Sequence, residues 1–244
     1  MSSSRPTSPS GGRDRRERPA ARIGAGPSRR DGGGALVTYT LLAYPGTGSA
    51  IVEAALELAG LPYAIETVDP WTAGASRERL RALNPLLQVP TLLLPDGSVM
   101  TESAAMVLLA ADRAPAAGLA PPADDAARPA FLRWLIFLVG SLYPTFTFGD
   151  DPSRWVGDAA ARDQLRRSTD EFRQAMWRQL EEALDPAPWC LGESFSALDL
   201  YVGVMTHWRP RRAWFAEHCP ALHRVAEAVD GEARLRAVWA RNFP

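Results

Sequence analysis

The sequence contains no lysine, no marked excess of charge of either sign, and no apolar run long enough to cross a membrane. All 27 basic residues are arginine, and 28 acidic residues bring the formal net charge to −1. The absence of lysine beside abundant alanine indicates a coding bias and points to no particular function. A near-neutral chain has no overall bias toward nucleic acid or a membrane surface. The longest apolar run, 131–139, is interrupted by Arg133 and is far shorter than the ~20 residues of a membrane span.

Cysteine and histidine are also scarce. The two cysteines, Cys190 and Cys219, lack the CxxC spacing of redox or metal motifs, which predicts buried thiols in a reducing, cytoplasmic compartment. The three histidines, His207, His218 and His223, form no zinc-binding pattern, so we expect no metal site.

Residues 1–34 differ in composition from everything that follows. Ser, Pro, Gly and Arg dominate them, almost nothing apolar is present to bury, and disorder is therefore expected. They contain no apolar core of a secretory signal. Two interpretations of this basic segment remain open: a solvated tail, including an upstream extension of a protein that starts near Val37, or an arm that touches nucleic acid.

The pattern of residues 37–112 predicts a thioredoxin-like domain in the order βαβαββα. Apolar runs and turn signals predict strands at 39–43, 63–68, 91–94 and 98–101, and helices at 49–59, 76–83 and 102–111. Ser49 is the predicted N-cap of the first helix. A helix between the first two strands makes them parallel with a right-handed crossover, and Pro95-Asp96-Gly97 makes the last two a hairpin.

The remainder of the chain predicts an all-α C-terminal domain. Residues 113–128 are rich in Ala and Pro and are interpreted as a linker, and residues 129–244 form the helical domain. Helices are predicted at 131–142, 158–184, 196–208, 220–229 and 232–239. No strand is required after Thr101.

The segment Asn84 to Leu92 contains Val89-Pro90 directly before a short apolar run. Proline cannot donate to a sheet ladder, and a Val-Pro bond at the mouth of a strand is a place to expect a cis peptide and exposed backbone groups. Glu102-Ser103 follows where the next strand meets a helix, whose N-terminus attracts anions. Together these features predict a site for a peptide-like ligand with a carboxylate.

Residues Ser196 to Asp199 form a capping-box pattern with Asp in place of Glu. The serine hydroxyl accepts from a backbone N–H, and the carboxylate accepts from the N–H of the cap residue. The pattern predicts a helix start with a role in folding and not in chemistry.

From about residue 37 to its end, the chain resembles the bacterial, cytosolic members of the glutathione S-transferase family. The resemblance rests on four features in order: the turn from Pro45 to Ser49, Gln88-Val89-Pro90, Glu102-Ser103, and the box from Ser196 to Asp199. It implies glutathione as co-substrate, no metal, and a homodimer.

Carried over to this sequence, the resemblance implies a glutathione-binding set. Val89 would pair its backbone with the cysteinyl amide ahead of cis-Pro90, with Gln88 beside it. Glu102 would bind the γ-glutamyl ammonium and Ser103 its carboxylate.

The resemblance is weakest where the thiol must be activated. The positions that carry a serine or cysteine in other members fall on Gly46 and Gly48, which have no side chain. Three nearby hydroxyls remain as candidates, in the order Thr47, Ser49, Tyr44. A hydroxyl donor at a helix N-terminus lowers the pKa of a thiol and so favours the thiolate.

An apolar acceptor pocket is expected between the domains. Its candidate residues are Trp134, Phe137, Tyr143, Phe146, Phe148 and Trp208, and Arg209, Arg211 and Arg212 are candidates for an acidic substrate. The primary hypothesis is a transferase that adds glutathione to a small hydrophobic electrophile and binds neither nucleic acid nor membrane. A glutathione-dependent isomerase or reductase, and a non-catalytic glutathione-transferase-like binding or regulatory protein, are the alternatives.

Overall fold

The computed structural model of the protein describes residues 38–244, so the predicted tail at 1–34 and the predicted start at Val37 lie outside the described residues. The first half contains four strands and three helices, in the predicted order βαβαββα. These are β1 (Tyr39–Ala43), α1 (Ser49–Leu58), β2 (Tyr63–Thr67), α2 (Ala75–Leu83), β3 (Thr91–Leu93), β4 (Val99–Met100) and α3 (Ser103–Arg113).

One sheet in the order β2-β1-β3-β4 organises this half. β1 runs parallel to β2, with Tyr39 opposite Tyr63, and antiparallel to β3, with Leu41 opposite Leu92. β3 and β4 form the antiparallel hairpin that the turn signal predicted. The thioredoxin-like arrangement is therefore confirmed.

Side chains of β1 alternate between two apolar layers, as the pleat requires. Leu41 is fully buried in the main core, which includes residues of α1 and α3, whereas Leu42 is fully buried in a smaller cluster with Val68 and Leu80. Helices therefore cover both faces of the central strand. This explains why β1 is apolar along most of its length.

The second half is helical, as predicted. Its helices are α4 (Arg128–Phe137), α5 (Tyr143–Asp150), α6 (Ala159–Leu184), α7 (Ala197–Met205), α8 (Arg212–His218), α9 (Pro220–Asp230) and α10 (Arg236–Asn242). The Asp158 side chain accepts from the Ala161 N–H at 2.9 Å, so α6 begins where the cap signal predicted. The helices α5 and α8 were not predicted.

The capping box at the start of α7 is confirmed. Oδ2 of Asp199 accepts from the Ser196 N–H at 2.7 Å, and the Ser196 hydroxyl accepts from the Leu198 N–H at 3.3 Å. Oδ1 of Asp199 also accepts from the Cys190 N–H at 2.7 Å, a contact beyond the box itself. This fully buried carboxylate therefore joins the helix start to the preceding loop.

The predicted linker packs against the helical half. Leu119 is only 1% exposed, and its carbonyl accepts from the Ala197 N–H at 2.8 Å. The segment thus contributes to the core around α7, and the domain boundaries at 112, 128 and 129 remain a prediction.

Residues Arg128–Asp150 form one helical segment of 23 residues, because a π-helical turn at Leu138–Leu142 joins α4 to α5. By length and composition alone this segment would suit a membrane span. Phe131, Leu135 and Leu142 are fully buried in the main core, however, so one face of the segment packs inside the protein.

Candidate functional site

A cleft of about 560 Å³ lies between the sheet half and the helical half. The sheet half contributes Thr47, Gly48, Gln88, Val89, Pro90, Glu102 and Ser103, among other residues. The helical half contributes Tyr143, Phe146, Asp150, Asp151, Arg154 and Trp208, among other residues. All five residues of the predicted glutathione-binding set therefore lie on one cleft.

The loop before β3 presents backbone groups to this cleft. Asn84 is buried, and its Nδ2 donates to the Gln88 carbonyl and to Thr91 Oγ1, both at 3.1 Å. The Val89-Pro90 peptide bond is cis, as predicted. Within residues 38–244, neither the N–H nor the carbonyl of Val89 forms a hydrogen bond. The loop thus offers one donor and one acceptor to an extended ligand backbone.

The N-terminus of α3 opens onto the same cleft. The helix begins at Ser103, one residue later than predicted, and Glu102 precedes it with φ +67°. A non-glycine residue at such a φ is strained by about 1–3 kcal/mol, and such residues concentrate at ligand sites. No side chain caps this end, so the first N–H groups of α3 and their positive potential are available to an anion.

Ser103 is also connected to the interior of the protein. Its hydroxyl lies 2.7 Å from the hydroxyl of Tyr201, a fully buried residue of α7. Burial raises the pKa of Tyr201 above its ordinary value, so the phenol stays protonated at neutral pH. The helix that starts with the capping box therefore positions a side chain of the cleft.

The three hydroxyls proposed for thiol activation have different surroundings. The Thr47 and Ser49 hydroxyls donate to the Tyr44 carbonyl at 2.7 and 3.0 Å, and the two hydroxyl oxygens lie 2.9 Å apart. Ser49 is fully buried, and Tyr44 packs its ring edge against Trp71 at 4.9 Å. Of the three, Thr47 lines the cleft.

The prediction that Ser49 caps α1 is wrong. Gly48 occupies the N-cap position, α1 begins at Ser49 itself, and the Thr47 hydroxyl oxygen accepts from the Ser49 N–H at 3.4 Å. The Ser49 hydroxyl instead accepts from the Tyr44 N–H at 3.2 Å and returns a bond to the Tyr44 carbonyl. These two hydrogen bonds join Ser49 to Tyr44, so the serine side chain stabilises the turn that precedes the helix.

The two glycines of this turn are held by residues from the helical half. The Gly46 carbonyl accepts from the Trp208 indole N–H at 2.8 Å, and the Gly46 N–H donates to Oδ1 of Asn242 at 3.3 Å. A Cβ atom built on Gly48 would overlap the hydroxyl oxygen of Tyr143 and would lie 3.1 Å from its Cζ. The tyrosine hydroxyl therefore occupies the space that a side chain at position 48 would take.

An aromatic wall forms the helical side of the cleft. The rings of Tyr143 and Phe146 meet that of Trp208 edge to face, with centroids 5.3 and 5.1 Å apart. Trp134, Phe137 and Phe148, the other predicted members of the acceptor pocket, do not line the cleft.

Two of the three arginines proposed to receive an acidic substrate form ion pairs, and none of the three lines the cleft. Arg209 pairs with Asp150 at 2.7 Å, and Arg212 pairs with Asp230 at 2.9 Å. Arg154, which was not predicted, is the arginine that lines the cleft. Among residues 38–244, no three His, Cys, Asp or Glu side chains are grouped so that they could hold a metal ion.

Two contacts that hold the glycine turn in place were not predicted from the sequence. Asn242 bridges from Gly46 to the buried Glu53 of α1, whose Oε2 accepts from Asn242 Nδ2 at 2.9 Å. Tyr143 was predicted as an aromatic of the acceptor pocket, and nothing in the sequence signalled its place beside Gly48. Both contacts join residues far apart in the chain, so no local pattern reports them.

Comparison with known proteins places these features in a wider context. A sequence model described as the glutathione S-transferase N-terminal domain matches residues 49–113. The chain is 42% identical over 199 residues to the uncharacterized GST-like protein YncG of Escherichia coli strain K12, covering 81% of this chain and 95% of that protein.

Solved structures with bound glutathione are similar over most of the chain. A glutathione transferase homolog from Sulfitobacter with bound glutathione has 28% identity and a TM-score of 0.76, covering 85% of this chain and 100% of that one. A sphingomonad glutathione S-transferase complexed with glutathione has 27% identity and a TM-score of 0.69, covering 84% and 100%.

Proposed function

Because the chain belongs to the glutathione S-transferase family, we propose that it binds glutathione in the cleft and transfers its thiol to a small hydrophobic electrophile. The observation that carries this proposal is the pairing of two features on one wall. The Val89 N–H and carbonyl have no partner among residues 38–244, and the uncapped N-terminus of α3 lies on the same cleft. A tripeptide with a free carboxylate satisfies both.

Each part of glutathione has a proposed partner. The cysteinyl amide pairs with the backbone of Val89, next to Pro90, and Gln88 is exposed at the edge of the loop. The γ-glutamyl carboxylate is held by Ser103 and the first N–H groups of α3, and Glu102 binds the γ-glutamyl ammonium. In this pose the thiol points toward the N-terminus of α1.

The thiol must ionise before it attacks, because the thiolate is the nucleophile. Of the hydroxyls predicted to assist, Thr47 stands first, because it lines the cleft whereas Ser49 is fully buried. The Tyr44 ring packs on Trp71 and ranks third. The positive end of the α1 dipole adds to any hydroxyl contribution.

The electrophile is proposed to be small and apolar, since the cleft presents the rings of Tyr143, Phe146 and Trp208 on its helical side. Flat aromatic groups contact such rings edge to face or in an offset stack. The protein is proposed to act in the cytosol, where the thiols of glutathione and of its own cysteines stay reduced.

A homodimer completes the proposal. Leu132 and Ile136 are 38% and 58% exposed, and they lie one turn apart on α4. Apolar side chains at this spacing form a stripe that a second copy of the chain would cover. Light scattering of the purified protein measures this directly. A parent protein that stays monomeric at micromolar concentration would contradict the dimer.

A non-catalytic glutathione-binding protein is the second candidate. Gly46 and Gly48 carry no side chain, and the Thr47 and Ser49 hydroxyls both donate to the Tyr44 carbonyl. Unless another donor reaches the sulfur, such a site would bind glutathione without activating it. An isomerase or reductase on the same scaffold would differ from both candidates in the substrate that it converts.

Retention on glutathione-agarose, elution with free glutathione, and turnover of chlorodinitrobenzene together test the proposal. The parent protein is expected to be retained and to conjugate. Ser103→Ala and Glu102→Gln should weaken retention, whereas Glu78→Gln, an exposed change on α2, should not. Retention without turnover of any electrophile would support the binding protein. No retention would overturn both candidates.

A further inference from the structure

We propose that the Tyr143 hydroxyl donates the hydrogen bond that stabilises the glutathione thiolate, in place of the side chain that is absent at Gly48. This inference rests on the proposed function and names a catalytic residue for it. It assigns thiol activation to the helical half of the chain, and it leaves Thr47 and Ser49 to hold the turn.

The Tyr143 hydroxyl lies where a side chain at position 48 would lie. A Cβ on Gly48 would overlap the Tyr143 hydroxyl oxygen, so that oxygen already occupies the side-chain space at the N-cap of α1. Gly48, Val89 and Tyr143 line the same cleft. A thiol carried by a cysteinyl unit paired with Val89 and directed at α1 would therefore meet this hydroxyl.

The Tyr143 ring is held in place. Its edge-to-face partner Trp208 is anchored by a hydrogen bond to the Gly46 carbonyl at 2.8 Å. Tyr143 and the glycine turn are thus fixed against the same indole. A preorganised donor stabilises developing charge better than one that must reorient during the reaction.

The Tyr143 hydroxyl is available to donate a hydrogen bond to a ligand. Among the residues that the structure describes, the Tyr143 hydroxyl forms no hydrogen bond, whereas the Thr47 and Ser49 hydroxyls each donate to the Tyr44 carbonyl. Burial raises the pKa of Tyr143 far above its ordinary value, with smaller contributions from Tyr201 and Asp150. The phenol therefore keeps its proton through the neutral range and acts as a neutral donor.

The chemical step follows from this arrangement. The S–H bond of glutathione breaks, its proton passes to water, and the electron pair stays on sulfur. The Tyr143 O–H and the positive end of α1 stabilise this thiolate. The sulfur then forms the S–C bond to the electrophile, and a leaving group such as chloride departs with the electron pair of the bond that breaks. Tyr143 stays protonated throughout.

Tyr143→Phe tests the inference, because it removes the hydroxyl and keeps the ring against Trp208. Retention on glutathione-agarose should stay within about twofold of the parent, whereas kcat should fall about 100-fold at roughly pH 6.5, where free thiol is mostly protonated. The thiolate absorbance of bound glutathione, followed against pH, should show a thiol pKa higher by about two units, which corresponds to the 100-fold loss. The loss of rate should shrink as the pH rises above that value.

Two further variants make the test specific. Tyr63→Phe removes a hydroxyl that bonds Glu57 outside the cleft, so it should change neither the thiol pKa nor kcat. Gly48→Ser should lower activity in the parent, because its Cβ overlaps the phenolic oxygen, but it should restore activity in the Tyr143→Phe background. If Tyr143 only packed, Tyr143→Phe would cause no loss of activity for Gly48→Ser to restore.

The outcomes separate this inference from the proposed function. A parent protein that neither binds nor conjugates would defeat both. A parent that conjugates, with Tyr143→Phe matching it in kcat and in thiol pKa, would overturn the role of Tyr143 alone. A Tyr143→Phe variant that loses glutathione binding as strongly as turnover would also contradict it, since the hydroxyl would then serve binding.

Discussion

The Ser103 hydroxyl and the Tyr201 hydroxyl lie 2.7 Å apart, at a sequence separation of 98 residues. Ser103 starts α3 on the cleft, and Tyr201 is fully buried in α7. If the phenol donates, the serine proton is free for a ligand carboxylate. The buried helix thereby orients the hydroxyl at this end of the cleft.

Tyr201→Phe should weaken glutathione binding through this contact. We expect a dissociation constant roughly 2- to 10-fold higher, since one hydrogen bond contributes about 0.5–1.5 kcal/mol. Ser103→Ala should weaken binding at least as much, because it removes the group that faces the ligand. Titration calorimetry measures both, and unchanged affinity in Tyr201→Phe would show that Ser103 needs no partner.

Asp199→Ala should destabilise the protein by about 2 kcal/mol or more. The change leaves the Ser196 and Cys190 N–H groups without their acceptor in a buried site, and each such loss costs about 1–3 kcal/mol. Asp199→Asn is the matched control, since it keeps one oxygen acceptor and should cost less. Urea unfolding measures the difference. Equal stability of parent and Asp199→Ala would rule out this role for the box.

Alkaline pH should remove the advantage that buried tyrosines give the folded state. The folded-state pKa values of Tyr143 and Tyr201 lie above the ordinary value of about 10, chiefly because of burial. Their contribution to stability is therefore complete below about pH 10 and is lost as the pH rises further.

The difference in unfolding free energy between the parent and Tyr201→Phe, measured against pH, gives the contribution of the Tyr201 hydroxyl alone. We expect this difference to be constant from about pH 7 to 9 and to shrink above about pH 10. A difference that grows with pH would mean that the folded-state pKa of Tyr201 is lowered.

Neither cysteine should react with a thiol reagent in the folded protein. Burial raises the pKa of Cys219 to about 12 and that of Cys190 well above its ordinary value, and both are free thiols. Thiolate is the reactive form, so disulfide reagents at neutral pH should find no thiol until denaturant exposes both. Rapid labelling of one cysteine in the native protein would contradict this, and Cys219→Ser would identify which one.

Asn242→Ala should loosen the turn that contains Gly46. The change removes the donor to buried Glu53 and the acceptor of the Gly46 N–H, and we expect a loss of about 1–2 kcal/mol. Asn242→Asp should be worse at neutral pH than in mild acid, because it sets a second carboxylate beside Glu53. Arg236→Ala, an exposed change on the same helix, is the control. Thermal unfolding of the three variants measures the order.

Local signals determined much of this protein. β1 occupies the predicted residues, Asp158 caps α6, and the box from Ser196 to Asp199 opens α7. Each of these depends on hydrogen bonds or periodicity within a few residues, which a sequence window contains. Val89-Pro90 and Glu102-Ser103 are also short motifs of adjacent residues, so a sequence window contains each of them whole.

Sequence patterns failed where a side chain had more than one local partner. Serine is a favoured N-cap residue. The Ser49 hydroxyl instead donates to the Tyr44 carbonyl, and α1 begins at Ser49, one residue earlier than a cap at that position would allow. The two arrangements involve neighbouring residues of the same turn, so the local pattern did not distinguish them.

The sequence by itself therefore determined the order of the elements, the capped helices and the segments that line the cleft. The tertiary structure decided which groups meet there: Tyr143 beside Gly48, Tyr201 beside Ser103, and Asn242 across 189 residues to Glu53. The reason is physical. Periodicity and caps arise from the backbone geometry of one turn, whereas these meetings arise when separate helices close-pack, and no short stretch of sequence contains both partners.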